Sequence, residues 1–166
     1  QRSWYEAHGA SLPGLLERYE AQPSHFLDYV HDLSLDVIAE NLALDAALAA
    51  LPGRRFVFTN GSLGHAERVL GKLGVLDRFE GIFHIESARL VPKPAPATYD
   101  RMIEAFGIAP QATCFFEDSA KNLEQARILG MTTVLVGEGA LPASHIDYTT
   151  PDLLAFLTSA RVKETA

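Results

Sequence analysis

The sequence has few of the residues that are typical of secreted or nucleic-acid-binding proteins. It contains one cysteine, Cys114, in 166 residues, so no disulfide can form within the chain. This favours a reducing compartment, and we expect a cytoplasmic protein. Lys and Arg total 14 against 21 Asp and Glu, a formal net charge of −7, with no run of basic residues. The charge therefore predicts no surface for a nucleic-acid polymer.

Long apolar stretches are also missing. None approaches the ~20 residues that a transmembrane helix requires, and the first residues, QRSWYE, lack the basic and then apolar pattern of a signal peptide. We therefore expect no membrane partner. Hydrophobic residues make up 48% of the chain, which is enough for a sizeable core and excludes a disordered protein. The composition predicts no particular oligomeric state.

The pattern of the chain changes near Pro52. Before it, apolar residues recur at helical spacing, with Asp36 as a predicted helix cap. We therefore interpret residues 1–52 as a helical region. Residues 53–166 alternate short β-favouring runs with helical segments, which predicts a doubly wound parallel sheet. The predicted strands are residues 55–58, 81–85, 113–116 and 132–136, and the predicted helices end at Gly74, Gly107 and Gly130, with a last one capped by Thr150.

Polar clusters follow three of the predicted strands, where ligands bind in open parallel sheets. They are the segment 59–62 (TNGS), Lys93 between two prolines, and the acid pair Glu117 and Asp118. Each alone has an ordinary structural explanation, as a turn, a solvated loop or a helix N-terminus. Cys114, inside an apolar strand, is predicted to lie in the core.

The order of these clusters is more informative than any one of them. A hydroxyl, a lysine and an acid pair after successive parallel strands suit phosphoryl transfer. The hydroxyl and backbone amides would hold phosphate oxygens, the lysine would neutralise charge, and the acids would bind a divalent cation. A signalling receiver domain uses similar residues, but in the order acid pair, aspartate, hydroxyl, lysine. The observed order therefore argues against a receiver.

Three segments carry a resemblance to a known family. Residues 56–61 (FVFTNG), 91–94 (VPKP) and 115–123 (FFEDSAKNL) resemble motifs II, III and IV of the haloacid dehalogenase superfamily. The resemblance implies a Rossmannoid α/β core over residues 53–166, preceded by part of a helical cap in residues 1–52. The segment 26–32 (FLDYVHD) is similar to the cap of the pyrimidine 5′-nucleotidase branch.

The resemblance also implies the residues that hold phosphate. Thr59, Asn60 and Gly61 would bind the transferring phosphoryl group, and Lys93 would bridge that group and the nucleophile. Thr59 and Lys93 are the implied catalytic residues.

A second set of residues is implied for a metal ion and for specificity. Glu117 and Asp118 would hold Mg²⁺, oriented by Ser119 and Asn122. From the cap, His31 and Asp32 would select the substrate. The family mechanism is in-line attack by an aspartate, followed by hydrolysis of the aspartyl-phosphate.

The nucleophile is where this sequence departs from the family. Motif I, Asp-x-Asp-x-Thr at the end of a first, central strand, is absent. That strand lies between the 56–58 and 113–116 strands in the family, so we expect a gap there. Three explanations stay open: the strand lies upstream of the printed residues, the protein is a silent remnant, or another chain supplies the strand.

Several functions are consistent with these observations. The first is a Mg²⁺-dependent phosphatase that acts on a small phosphomonoester, by resemblance a nucleoside 5′-monophosphate. The alternatives are a phosphoglycolate or sugar phosphate phosphatase, a phosphomutase, and a catalytically silent interaction domain.

Overall fold

The computed structural model describes residues 34–159. Its helices are α1 (Leu42–Ala50), α2 (Leu63–Leu73), α3 (Pro96–Phe106), α4 (Ala120–Ile128) and α5 (Leu153–Ser159), with short 3₁₀ turns at Leu76–Arg78 and Pro110–Ala112. Its strands are β1 (Phe56–Phe58), β2 (Gly81–Phe83), β3 (Cys114–Glu117), β4 (Thr132–Val136) and β5 (Tyr148–Thr150). The alternation of strands and helices confirms the predicted α/β class.

The strands form two parallel groups. β1 pairs with β2 in one group, and β3, β4 and β5 pair in that order in the other. Within residues 34–159, the facing edges of β1 and β3 have no strand between them and are not paired with each other. An interruption at this point is what the absence of a first, central strand predicts. Backbone groups on such edges cost ~1–3 kcal/mol each if they are buried without partners.

Two hydrophobic cores pack against the strands. One core contains buried Phe83 and Tyr99, and aromatic residues from both groups pack against it, Phe58 of β1 and Phe115 of β3. The other core lies under α1, α2 and α5 and includes Phe116 of β3. Since Phe115 and Phe116 are successive strand residues, they point to opposite faces. The cores therefore hold the two groups together although no ladder bonds join them.

The gap explains one wrong prediction. Cys114 was expected in the core, but it is exposed. Its strand pairs on one side only, with β4. The apolar pattern of the β3 sequence is that of a strand covered on both sides, and no described residue supplies the second neighbour.

The helix ends follow local signals, with two corrections. Gly74 and Gly107 end α2 and α3 with positive φ, as predicted. Asp36 does not cap α1; the side chain of Asn41 does so, by accepting the N–H of Leu44 at 2.9 Å.

Thr150 is the second correction, because it ends a strand instead of capping a helix. It is the last residue of β5, a strand that the sequence pattern did not predict. The carboxylate of Asp152 accepts the N–H of Ala155 at 3.1 Å and so caps the last helix.

No helix among residues 34–159 is both long enough and apolar enough to cross a bilayer.

Tyr99 offers a test of the core that joins the two strand groups. Its side chain is fully buried, and its hydroxyl donates to the carbonyl oxygen of Asn122 at 2.5 Å. We expect Tyr99→Phe to lower the free energy of unfolding by about 1–3 kcal/mol, because it leaves that carbonyl without its partner. Urea unfolding of the full-length protein measures this. Tyr148→Phe, at an exposed ring, is the control, and equal effects of the two variants would contradict the prediction.

Candidate functional site

A cleft of about 410 Å³ opens at the carboxyl ends of β1 and β3. Eight of the residues predicted from the sequence line it: Thr59, Asn60, Gly61, Lys93, Glu117, Asp118, Ser119 and Asn122. Parallel strands bring their carboxyl ends to one edge, which is why segments far apart in the chain meet here. The structure therefore brings these predicted residues together.

Lys93 lies at the centre of the cleft and is 6% exposed. Its ammonium donates to the carbonyl oxygen of Phe58 at 2.8 Å and to Oε2 of Glu117 at 2.5 Å. The rings of Phe58 and Phe115 lie below it, with centroids 4.7 and 5.3 Å from Nζ. These contacts fix the ammonium at the junction of β1 and β3.

Asn60 positions the lysine, a role that the sequence reasoning missed. Its Oδ1 accepts the backbone N–H of Lys93 at 2.7 Å, and its Nδ2 donates to the carbonyl oxygen of Lys93 at 3.2 Å. The amide therefore clamps the 91–94 loop to the end of β1. The sequence implied that this side chain would contact phosphate, and the structure instead uses one donor and one acceptor of the amide for the clamp.

The backbone of the 59–61 segment leaves one donor available. The N–H of Thr59 donates to Phe83, and the N–H of Gly61 donates to Oγ1 of Thr59 at 2.9 Å. Gly61 therefore contributes no open N–H, contrary to the expectation for a phosphate loop. The N–H of Asn60 has no acceptor among residues 34–159, and the Thr59 hydroxyl retains its own hydrogen as a donor.

Glu117 is held entirely by the protein. Its Oε1 accepts the N–H groups of Asp118 and Ser119, each at 3.2 Å, and its Oε2 accepts the ammonium of Lys93. Its side chain is 7% exposed. Burial raises the pKa of Glu117, and the charge of Lys93 opposes that rise.

Asp118 is the exposed member of the acid pair. Its hydrogen bond with the Glu117 side chain lowers the pKa of Asp118, so this carboxyl is ionised at neutral pH. Because the Lys93 ammonium is bound to Glu117, the charge of Asp118 has no ion-pair partner among residues 34–159 and remains in excess. That excess of negative charge favours a cation beside Asp118.

The two residues implied to orient the acids, Ser119 and Asn122, make different contacts, and only Ser119 bonds to an acid. Ser119 contacts Glu117 through its backbone N–H, and its side chain makes no cap bond to α4. The carbonyl oxygen of Asn122 accepts the buried hydroxyl of Tyr99, while its side chain lines the cleft. Burial and the charge of Glu117 raise the pKa of Tyr99. No strand-end pattern pointed to Tyr99, which lies inside α3.

The donor set fits a magnesium ion in part. Residues 34–159 hold no group of three His, Cys, Asp or Glu side chains that could enclose a metal. Mg²⁺ is commonly held by one or two carboxylates together with water and substrate phosphate. The carboxylate of Asp118, with Glu117 next to it, meets that requirement. His31 and Asp32, predicted to select the substrate, lie outside the described residues.

Comparisons with known proteins support the same family. A family model described as haloacid dehalogenase-like hydrolase matches residues 3–130. Enolase-phosphatase E1 of Methylococcus capsulatus is 35% identical over 97 residues, which cover 54% of this chain and 40% of that protein. The chain spans less than half the length of the curated relatives it matches.

Two solved structures share the fold at low identity. A HAD phosphatase from Thermococcus onnurineus has a TM-score of 0.63 at 20% identity, over 94% of this chain and 75% of that one. The L-2-haloacid dehalogenase of Xanthobacter autotrophicus has a TM-score of 0.56 at 19% identity, over 70% of this chain and 60% of that one. The family model covers more than half of the chain, and on that match the chain belongs to the haloacid dehalogenase-like hydrolases.

Proposed function

We propose that this chain carries most of the active site of a Mg²⁺-dependent phosphatase for small phosphomonoesters. The observation that carries the proposal is the acid pair at the end of β3, with Glu117 bound to Lys93 and Asp118 free to face the cleft. An acid pair beside a fixed ammonium suits a phosphate with its metal ion. A carboxylate substrate of a dehalogenase would gain nothing from two neighbouring acids.

Each described residue then has a specific task. The N–H of Asn60 and the hydroxyl of Thr59 donate to phosphoryl oxygens, and the Lys93 ammonium stabilises the charge that builds up during transfer. Asp118, supported by Glu117, would hold Mg²⁺, which shields the negative charge of the phosphate. Because the Asn60 amide holds the Lys93 backbone, the phosphate donors and the lysine move as one unit.

The nucleophile is proposed to lie outside the described residues. A strand that fills the gap between β1 and β3 would run parallel to both, and its carboxyl end would reach the cleft next to Lys93. An aspartate there could attack phosphorus in line. We propose a cytoplasmic enzyme whose substrate is a pyrimidine nucleoside 5′-monophosphate, selected by His31 and Asp32 of the cap.

A substrate panel tests the proposed function. The full-length protein with Mg²⁺ is expected to release phosphate from pyrimidine nucleoside 5′-monophosphates with a higher kcat/KM than from phosphoglycolate or sugar phosphates. If phosphate were released only from the other esters, the proposal of a phosphatase would stand and the proposal of a nucleotide substrate would be rejected. Halide release from a 2-haloacid without phosphatase activity would reject both.

Lys93→Ala tests the charge-stabilising role. We expect kcat to fall about 10²–10³-fold, the loss seen when a preorganised donor is removed from a transition state. The measurement is phosphate release under saturating substrate, with circular dichroism to verify the fold. Lys72→Ala removes a half-exposed lysine on α2 and should leave kcat unchanged. A kcat within a few-fold of the parent in Lys93→Ala would refute the role.

Asp118→Asn tests the metal assignment. The Mg²⁺ concentration for half-maximal activity should rise at least about 10-fold, because an amide binds a hard cation more weakly than a carboxylate does. Calorimetric titration with Mg²⁺ gives a readout that does not depend on turnover. Asp100→Asn, at an exposed aspartate of α3, is the matched control. Unchanged Mg²⁺ affinity in Asp118→Asn would remove this residue from the metal site.

A further inference from the structure

Three side chains in the turn after β2 form a hydrogen-bonded relay apart from the residues that line the cleft. The Nδ1 atom of His84 lies 2.6 Å from Oε2 of Glu86, and its Nε2 atom lies 2.8 Å from Oγ of Ser87. The phosphatase mechanism proposed above uses none of these residues. Both ring nitrogens of one histidine are therefore engaged, one by a carboxylate and the other by a hydroxyl.

The turn itself produces this arrangement. The N–H of Ala88 donates to the carbonyl oxygen of His84 at 3.0 Å, and the N–H of Leu90 donates to that of Ile85 at 2.9 Å. The backbone thus makes a single helical turn, in which residues three apart lie on the same side. His84 and Ser87 are three apart, and their contact follows from that geometry.

The backbone after the turn is held in a strained conformation. Arg89 and Leu90 both have positive φ, 55° and 61°, in the region that L residues rarely adopt. Two such residues in succession persist only where the surrounding structure enforces them. The carbonyl oxygen of Ala88 also accepts the Arg101 guanidinium at 2.9 Å, which anchors the turn to α3.

In a neutral imidazole, the two hydrogen bonds of His84 have one consistent arrangement of protons. An ionised Glu86 carboxylate can only accept, so the proton between it and the ring lies on Nδ1. That leaves a lone pair on Nε2, which accepts the hydroxyl hydrogen of Ser87. A carboxylate, an imidazole and a hydroxyl connected in this order make up the arrangement that activates a serine as a nucleophile.

The exposure of the relay suits reaction with a ligand from solution. Ser87 is exposed, while the His84 side chain is 17% exposed and therefore held in place. The backbone N–H groups of Glu86 and Ser87 find no acceptor in the described part of the chain. They are available to donate to an oxyanion that forms beside the serine.

We propose that Ser87 is a nucleophile that accepts an acyl group from small activated carboxylic esters, with His84 as its base and Glu86 as the group that orients the imidazole. Oγ bonds to the carbonyl carbon, its proton passes to Nε2 of His84, and the bond to the leaving alkoxide or phenoxide breaks as that oxygen takes the proton. Water then attacks the acyl-serine by the reverse proton route, which releases the carboxylic acid and restores the serine.

p-Nitrophenyl acetate and the full-length protein provide the test. We expect release of p-nitrophenol and an acetyl group located on Ser87 by peptide mass spectrometry after a rapid quench. Ser87→Ala should abolish this modification, and His84→Ala should slow it by about 100-fold or more, the contribution typical of a general base. Glu86→Gln should slow it less. Ser144→Ala, which removes another exposed serine, should have no effect.

The outcomes separate the relay from general surface reactivity. An acetyl group spread over lysines and serines, with Ser87 no faster than Ser144, would overturn the proposal. An equal rate in His84→Ala would also overturn it, because the serine would then not need its base. Circular dichroism of each variant verifies the fold. Acetylation of Ser87 is measured without Mg²⁺ and without a phosphate ester, so a failure of the phosphatase proposal is distinguishable from a failure of this one.

Discussion

The buried ion pair between Lys93 and Glu117 is the contact on which the site depends. It joins the 91–94 loop to the end of β3, and the same ammonium binds the carbonyl oxygen at the end of β1. Burying two charges is costly unless hydrogen bonds satisfy both of them. Here Glu117 accepts two backbone N–H groups as well, and the Asn60 amide fixes the lysine backbone. The pair therefore contributes more to geometry than to stability.

The ion pair also gives the two neighbouring acids, Glu117 and Asp118, different environments. Both carboxylate oxygens of Glu117 accept hydrogen bonds from the protein, so few of its lone pairs are left for a ligand. Asp118 is exposed, and its lowered pKa keeps it charged. The two adjacent carboxylates thus differ because the Glu117 side chain is 7% exposed and bound to Lys93, whereas Asp118, which follows the last residue of β3, is exposed.

How much of this could be read from the sequence depends on the range of the interactions. Helix ends at Gly74 and Gly107 and the strand-end clusters are local signals, and they were predicted. β5 was missed because Tyr148–Thr150 is short and polar, and its pairing with β4 is a tertiary event. The Asn60 clamp was missed for the same reason, since its partner lies 33 residues away. The burial of Cys114 was predicted wrongly because the apolar sequence of β3 is typical of a strand with a neighbour on both sides, whereas among residues 34–159 it pairs only with β4.

The gap between β1 and β3 connects the fold to the chemistry. Although no ladder bonds cross it, the ring centroids of Phe58 and Phe115 lie 5.8 Å apart across it, and the second core packs Phe116 of β3 with residues of α1, α2 and α5. The 59–61 segment, the lysine and the acid pair therefore line one cleft without a central strand among residues 34–159. A parallel strand in the gap could form ladder hydrogen bonds with β1 on one side and with β3 on the other. Its carboxyl end would then lie at the cleft that contains Lys93. For the proposed phosphatase, such a strand would have to add the nucleophile, because the groups proposed to stabilise charge and hold the cation are fixed by contacts within residues 34–159.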